Sequence, residues 1–165
     1  MKHMDLLIKK AKITVLDKYE VTDSKGNVLF NVKGELISVG KRLRIDDASG
    51  RELASVYKKK IAVRDKYVIS MKAGDVDVFR IDTMRKVPEY RAKELGWTLK
   101  GDFSRKDLKI TEGLHTVAHI KPKALSFGET LKMDVRNEAE ALPAVALLLV
   151  SQLDAENKPE NAEEK

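Results

Sequence analysis

Through most of the first 136 positions apolar and polar residues alternate one by one, the period of strands with one buried face and one wet face. Leu43 and Ile45 oppose Arg42, Arg44 and Asp46; Leu108 and Ile110 oppose Lys109 and Thr111; Leu131, Met133 and Val135 oppose Lys132, Asp134 and Arg136. Turn signals punctuate this alternation at a fixed interval. Gly26, Gly50 and Gly74 stand 24 residues apart, and both Asp23-Ser24-Lys25-Gly26 and Asp47-Ala48-Ser49-Gly50 set Asp first and Gly fourth, which is type I turn chemistry. Met71-Lys72-Ala73-Gly74 keeps the glycine without the aspartate. At twice that interval residues 12–19 recur as 60–67 with six of eight identical, so one hairpin unit has been reused. A Ser-x-Gly corner, Ser38-Val39-Gly40 and again Ser126-Phe127-Gly128, is expected to bend the chain between hairpins. The count comes to about ten to twelve short strands, the spacing of an antiparallel barrel or sandwich.

After Asn137 the period changes. Residues 138–153 are good helix formers, Asn137 is placed to cap them, and acids occupy the first turn where the helix dipole favours them. Pro143 falls late for a first-turn proline, so the first turn is expected to be irregular or the regular helix to begin near Leu142. The middle of this helix is apolar on every side, the mark of a helix enclosed by protein or lipid. A barrel of about eight strands fills its own interior, whereas one of about twelve leaves a lumen that a helix about 10 Å across can plug. The pattern therefore predicts a mainly β chain, α+β by content: a closed antiparallel barrel of about twelve strands around a central apolar C-terminal helix at about 138–153. Residues 1–153 are expected to form one domain.

Charge refines this division. The chain carries +6 overall, but residues 154–165 hold five acids and two lysines, a net −3 that leaves +9 on residues 1–153. The acidic tail is expected to be disordered and to shield the basic body. Such a body suits phosphate-bearing partners. With no cysteine, disulfides, thiolate metal sites and cysteine nucleophiles are excluded. The first ten residues do not read as a secretory signal, and the nearly apolar run 141–150 is about half of the ~20 residues that span a bilayer. The expected location is cytoplasmic, with any membrane contact peripheral.

Several of these features together resemble a known family. They are the order of hairpins, the strand starts Lys18-Tyr19 and Lys66-Tyr67, the Asp-x-x-Gly turns, the Gly34–Leu43 segment Gly-x-x-x-Ser-x-Gly-x-x-Leu, the stretch Gly96-Trp97-Thr98-Leu99-Lys100-Gly101-Asp102-Phe103, and the final apolar helix. In that combination the chain, over about residues 4–153, is similar to the LURP-one-related family, which belongs with the tubby carboxy-terminal domain and the phospholipid scramblases. The resemblance implies a tubby-like twelve-stranded barrel around a central helix. It implies little about activity, since most such members have no established role; tubby domains bind phosphoinositide headgroups and scramblases act on phospholipids. No headgroup-binding residue carries over by position, and no acidic calcium-binding segment of the scramblase kind stands beside the last helix.

Candidate chemistry is sparse. His115 and His119 would lie on one face of a strand but ~13 Å apart, too far for one metal. The carboxylate pairs Asp75/Asp77 and Asp46/Asp47 sit near turns, where solvated or capping roles are common. Neither a nucleophile elbow nor a glycine-rich phosphate loop is present. No catalytic, cofactor-binding or metal residue is assigned, and a non-enzymatic binding or scaffold module is expected. The lysines Lys58, Lys59 and Lys60, with Lys10 and Lys12 at the 48-residue offset, form the candidate anionic-ligand patch. Its expected partner is anionic phospholipid at the cytosolic membrane surface. The bland account is that these lysines guard strand edges, and the alternative function is a protein-interaction module of the same fold. Nine aromatics, several in core phase, and an apolar helix argue against nucleic acid.

Overall fold

The computed structural model describes residues 3–11, 18–37, 40–59, 66–123 and 130–156. Twelve strands follow one another: β1 (Met4–Ala11), β2 (Lys18–Asp23), β3 (Val28–Ile37), β4 (Gly40–Asp47), β5 (Glu52–Lys59), β6 (Lys66–Met71), β7 (Gly74–Asp82), β8 (Pro88–Ala92), β9 (Trp97–Asp102), β10 (Asp107–Glu112), β11 (His115–Pro122) and β12 (Thr130–Val135). Each pairs antiparallel with its neighbour in sequence, and β1 closes the barrel on β12. The expected phases hold: Leu43, Ile45, Leu108, Ile110, Leu131, Met133 and Val135 all point into the core. Closure leaves no open edge to template aggregation.

The chain then enters the lumen it has enclosed. Asn137 caps a 3-10 turn, Glu138–Glu140, by accepting the Ala139 amide at 3.1 Å, and α1 runs from Ala141 to Glu156. The irregular first turn is the one that Pro143 implied. Ala144 to Ser151 are buried without a break. Eight successive residues pass more than two full turns, so every side of the helix is covered. The helix lies closest to β5, with β4, β6 and β8 also in contact. It runs three residues past the boundary expected at Leu153, and Asp154, assigned from its charge to the tail, is 3% exposed. Residues 157–165 lie outside the described residues.

The two ends of the barrel differ. Where α1 begins, the hairpins close in tight polar turns, including those at Gly26, Gly50 and Gly74. The Asp23 carboxylate accepts the Lys25 and Asn27 amides at 2.9 Å, and Asp47 accepts those of Ser49 at 3.0 Å and Arg51 at 2.9 Å. These bonds, led by the Asn27 side chain for Asp23 and the Ser49 hydroxyl for Asp47, hold both carboxyls below their ordinary value. Groups with depressed folded pKa values stabilise above the unfolded value and cease to as pH falls through the folded one. Stability is therefore expected to decline below about pH 4, and Asp47→Asn to shallow that decline. Acid titration of the unfolding midpoint checks this; equal slopes in both proteins would refute it. Asp46, whose place near a turn suggests a solvated or capping role, is instead 1% exposed and accepts from the Arg44 guanidinium at 2.6 Å. The pairing with β5 slips by one residue beside it, leaving Leu53 over between Glu52 and Ala54.

One glycine is fixed by space as well as by backbone. Gly101, at φ +137°, faces Leu108 across β9 and β10, and an added Cβ would lie 2.4 Å from the Asp107 carbonyl oxygen and 2.9 Å from the Leu108 Cα. Both obstacles are backbone and cannot rotate away. Gly101→Ala is expected to cost at least about 1–3 kcal/mol. Gly26→Ala, with open space around its Cβ, should cost less. Urea unfolding of the two variants gives the order.

Candidate functional site

At the end where α1 terminates, inner-phase cations from several strands converge on the helix. Lys10 of β1 reaches Glu156 at 3.6 Å and stands over the Tyr19 ring at 5.7 Å; Lys41 of β4 holds Glu156 at 2.6 Å. Lys58 of β5, opposite the buried Tyr67, shares the inner phase. Arg80 of β7 donates to Asp154 at 2.7 Å and to Asp82 at 3.0 Å. The Asp154 carboxylate also accepts the Tyr67 hydroxyl at 2.5 Å and the Tyr90 hydroxyl at 2.6 Å. Burial, then the bond to Asp154 and its charge, pushes the Tyr90 phenol far above its ordinary value. Burial opposes the Arg80 charge, but Asp154 and Asp82 outweigh it and hold the guanidinium firmly protonated. The collar complements the negative end of the helix dipole.

Two of the candidate lysines, Lys10 and Lys58, thus face the helix end, while Lys59 points outward and is exposed. Lys12 and Lys60 lie outside the described residues. Beside Lys10 and Lys106 is a cavity of about 10 Å³ lined by Ile8, Tyr19, Leu131, Leu148, Leu149 and Gln152. It has room for about one water and none for an acyl chain.

The same end carries an outward-facing feature that the sequence did not single out. Among the described residues the exposed large apolar side chains are Leu36, Ile37, Met84, Val87 and Leu114. All but Leu114 project from this end, from the β3–β4 and β7–β8 hairpin tips. In Met84-Arg85-Lys86-Val87 two cations are flanked by apolar residues, and Met84 is fully exposed. Beside this tip a groove of about 510 Å³ opens on the outer wall, lined by Arg85, Val87, Lys100, Lys109, Glu89, Asp102 and Asp107 among others. Lys100 and Lys109 face each other directly in register. Like charges so placed cost stability unless an anion joins them.

The charges in this groove are unequally engaged. Asp102 is bonded within its own turn to Ser104 at 2.6 Å, Asp107 contacts His119 at 3.0 Å, and Glu89 lies 3.6 Å from Arg91. Arg85, Lys86, Lys100 and Lys109 have no ion-pair partner among the described residues. His115 and His119 do not converge: a bulge buries both Val117 and Ala118 and breaks the period-two relation between the histidines.

A closed twelve-strand antiparallel barrel around one C-terminal helix defines the class, the tubby-like fold. An Arabidopsis thaliana protein of known structure, AT5G01750, shares it with a TM-score of 0.63 at 15% identity, over 92% of this chain and 91% of that one. The model of the LURP-one-related family matches residues 4–152, and the chain belongs to that family. Uncharacterized protein YxjI of Bacillus subtilis (strain 168) is 26% identical over 148 residues, 89% of this chain and 91% of its own. No helix among the described residues is long and apolar enough to cross a membrane.

Proposed function

We propose that this protein is a non-enzymatic module that binds anionic phospholipid at a membrane surface through the β7–β8 tip and the groove beside it. One observation carries the reading: the groove's acids have partners outside it while Arg85, Lys86, Lys100 and Lys109 do not, next to the exposed Met84 and Val87. Apolar side chains at the tip enter the interface and cations meet the phosphates. The groove is of a size to hold a headgroup. In this reading the lipid contact moves from the lysines around 58–60 to residues that strand register assembles.

Flotation with vesicles of neutral phosphatidylcholine, alone or mixed with phosphatidylserine, tests the proposal. Binding is expected only to the anionic vesicles and to weaken with salt. At about 1 kcal/mol per basic residue, Arg85→Gln with Lys86→Gln should reduce partitioning roughly 30-fold. Leu114→Ser, at the far end of the barrel, should leave it unchanged. No anionic preference at low salt overturns the proposal, and specific capture of a protein partner in its place would establish the interaction-module alternative.

A further inference from the structure

On the outer wall, two strands along from Lys109 of that groove, Asp5 of β1 and Asp134 of β12 face each other directly in register. Two residues before Asp5, on the same strand face, His3 turns its Nε2 onto Asp134. The three donor atoms lie within 4.8 Å of one another. Neither carboxylate meets a lysine or arginine among the described residues, although residues 1–153 carry +9. The Asp134 Oδ1 atom that His3 meets is itself sealed from solvent, although the side chain as a whole is 44% exposed. Apposed carboxylates repel, and an oxygen cut off from water forfeits its hydration. Both costs vanish if a cation sits between the three groups.

We infer that His3, Asp5 and Asp134 form a surface site for one divalent transition-metal cation of the Zn²⁺, Co²⁺ or Ni²⁺ kind. One imidazole nitrogen and two carboxylate oxygens are a borderline donor set that suits these ions. Ca²⁺ takes about 6–8 oxygens and Mg²⁺ keeps an octahedral oxygen shell, so neither is matched by this set. Three protein donors from adjacent strands occupy one side of the ion and leave its other side to water. His119 flanks Asp134 on β11 in register, but its Nε2 is engaged by Asp107 at 3.0 Å and lies outside the set. The inference does not depend on the lipid reading.

Isothermal titration of the metal-free full chain with ZnCl₂ and with CoCl₂ tests it. One saturable site per chain is expected, unaffected by a roughly hundredfold excess of Mg²⁺ or Ca²⁺. Asp134→Asn and His3→Gln should each weaken binding about tenfold or more, with His119→Gln within about twofold of the parent. Because Asp134→Asn also relieves the carboxylate repulsion, the metal-free variant should melt no lower than the parent, which separates lost binding from lost structure. Two results would overturn the assignment. One is the lack of any saturable Zn²⁺ or Co²⁺ site; the other is binding that survives Asp134→Asn but falls in His119→Gln or His115→Gln.

Discussion

Asp154→Ala is expected to lower the unfolding free energy by about 3–5 kcal/mol, the cost of deleting one partner of a buried charge pair. The carboxylate gathers the Arg80 guanidinium and the hydroxyls of Tyr67 and Tyr90, all at 2.7 Å or less. Removing it takes a shared buried acceptor from one cation and two hydroxyls inside the barrel mouth, while Asp82, also bonded to Arg80, remains. For a chain of this length each kcal/mol moves the melting temperature about 2–4 °C, so a fall of about 6–20 °C should appear. Asp154→Asn keeps an acceptor oxygen and should fall between the variant and the parent. Arg80→Met combined with Asp154→Leu should cost less than the sum of the single changes, since no lone charge remains. A loss below about 1 kcal/mol for Asp154→Ala would mean that the helix is not anchored at this point.

The particular residues involved show what was legible beforehand and what was not. The 24-residue glycine interval could be read because consecutive hairpins have similar lengths and turn at the same end of the barrel. The central helix could be read because an unbroken apolar stretch has only buried explanations. Asp154 could not: by composition it opens an acidic tail, and its partners lie 64 to 87 residues away in sequence. The groove cations were missed for a related reason. Lys100 and Lys109 are isolated in the sequence and meet only through the register of β9 and β10. Lys58-Lys59-Lys60 was conspicuous as a run, yet alternation places Lys58 in the inner phase beside the helix end. Local patterns reveal period and phase; which charges face each other depends on pairing, and a single bulge, as at Val117, resets it.

Leu147→Ala should rival the loss at Asp154, because the helix fills the centre of the lumen and packs against the inward side chains of the strands. Leu147 is 0% exposed and covered on every side, so the truncated site cannot collapse without moving strands that the closed barrel holds in register. The expected cost is about 3–5 kcal/mol, toward the upper part of the range for such changes. Leu148 offers a test of this reasoning one residue along. Its side chain borders the small cavity that opens toward Lys10, Lys106 and Gln152. Truncation there enlarges a space that polar groups let water enter, so Leu148→Ala should cost less, about 2–3 kcal/mol. Leu36→Ser, at a side chain 76% exposed, should stay within about 0.5 kcal/mol of the parent. Chemical denaturation of the three variants gives the ranking. If Leu148→Ala proves the costlier of the two core changes, the cavity does not admit water and the helix is sealed along its whole length; if neither exceeds Leu36→Ser, the barrel stands without its plug.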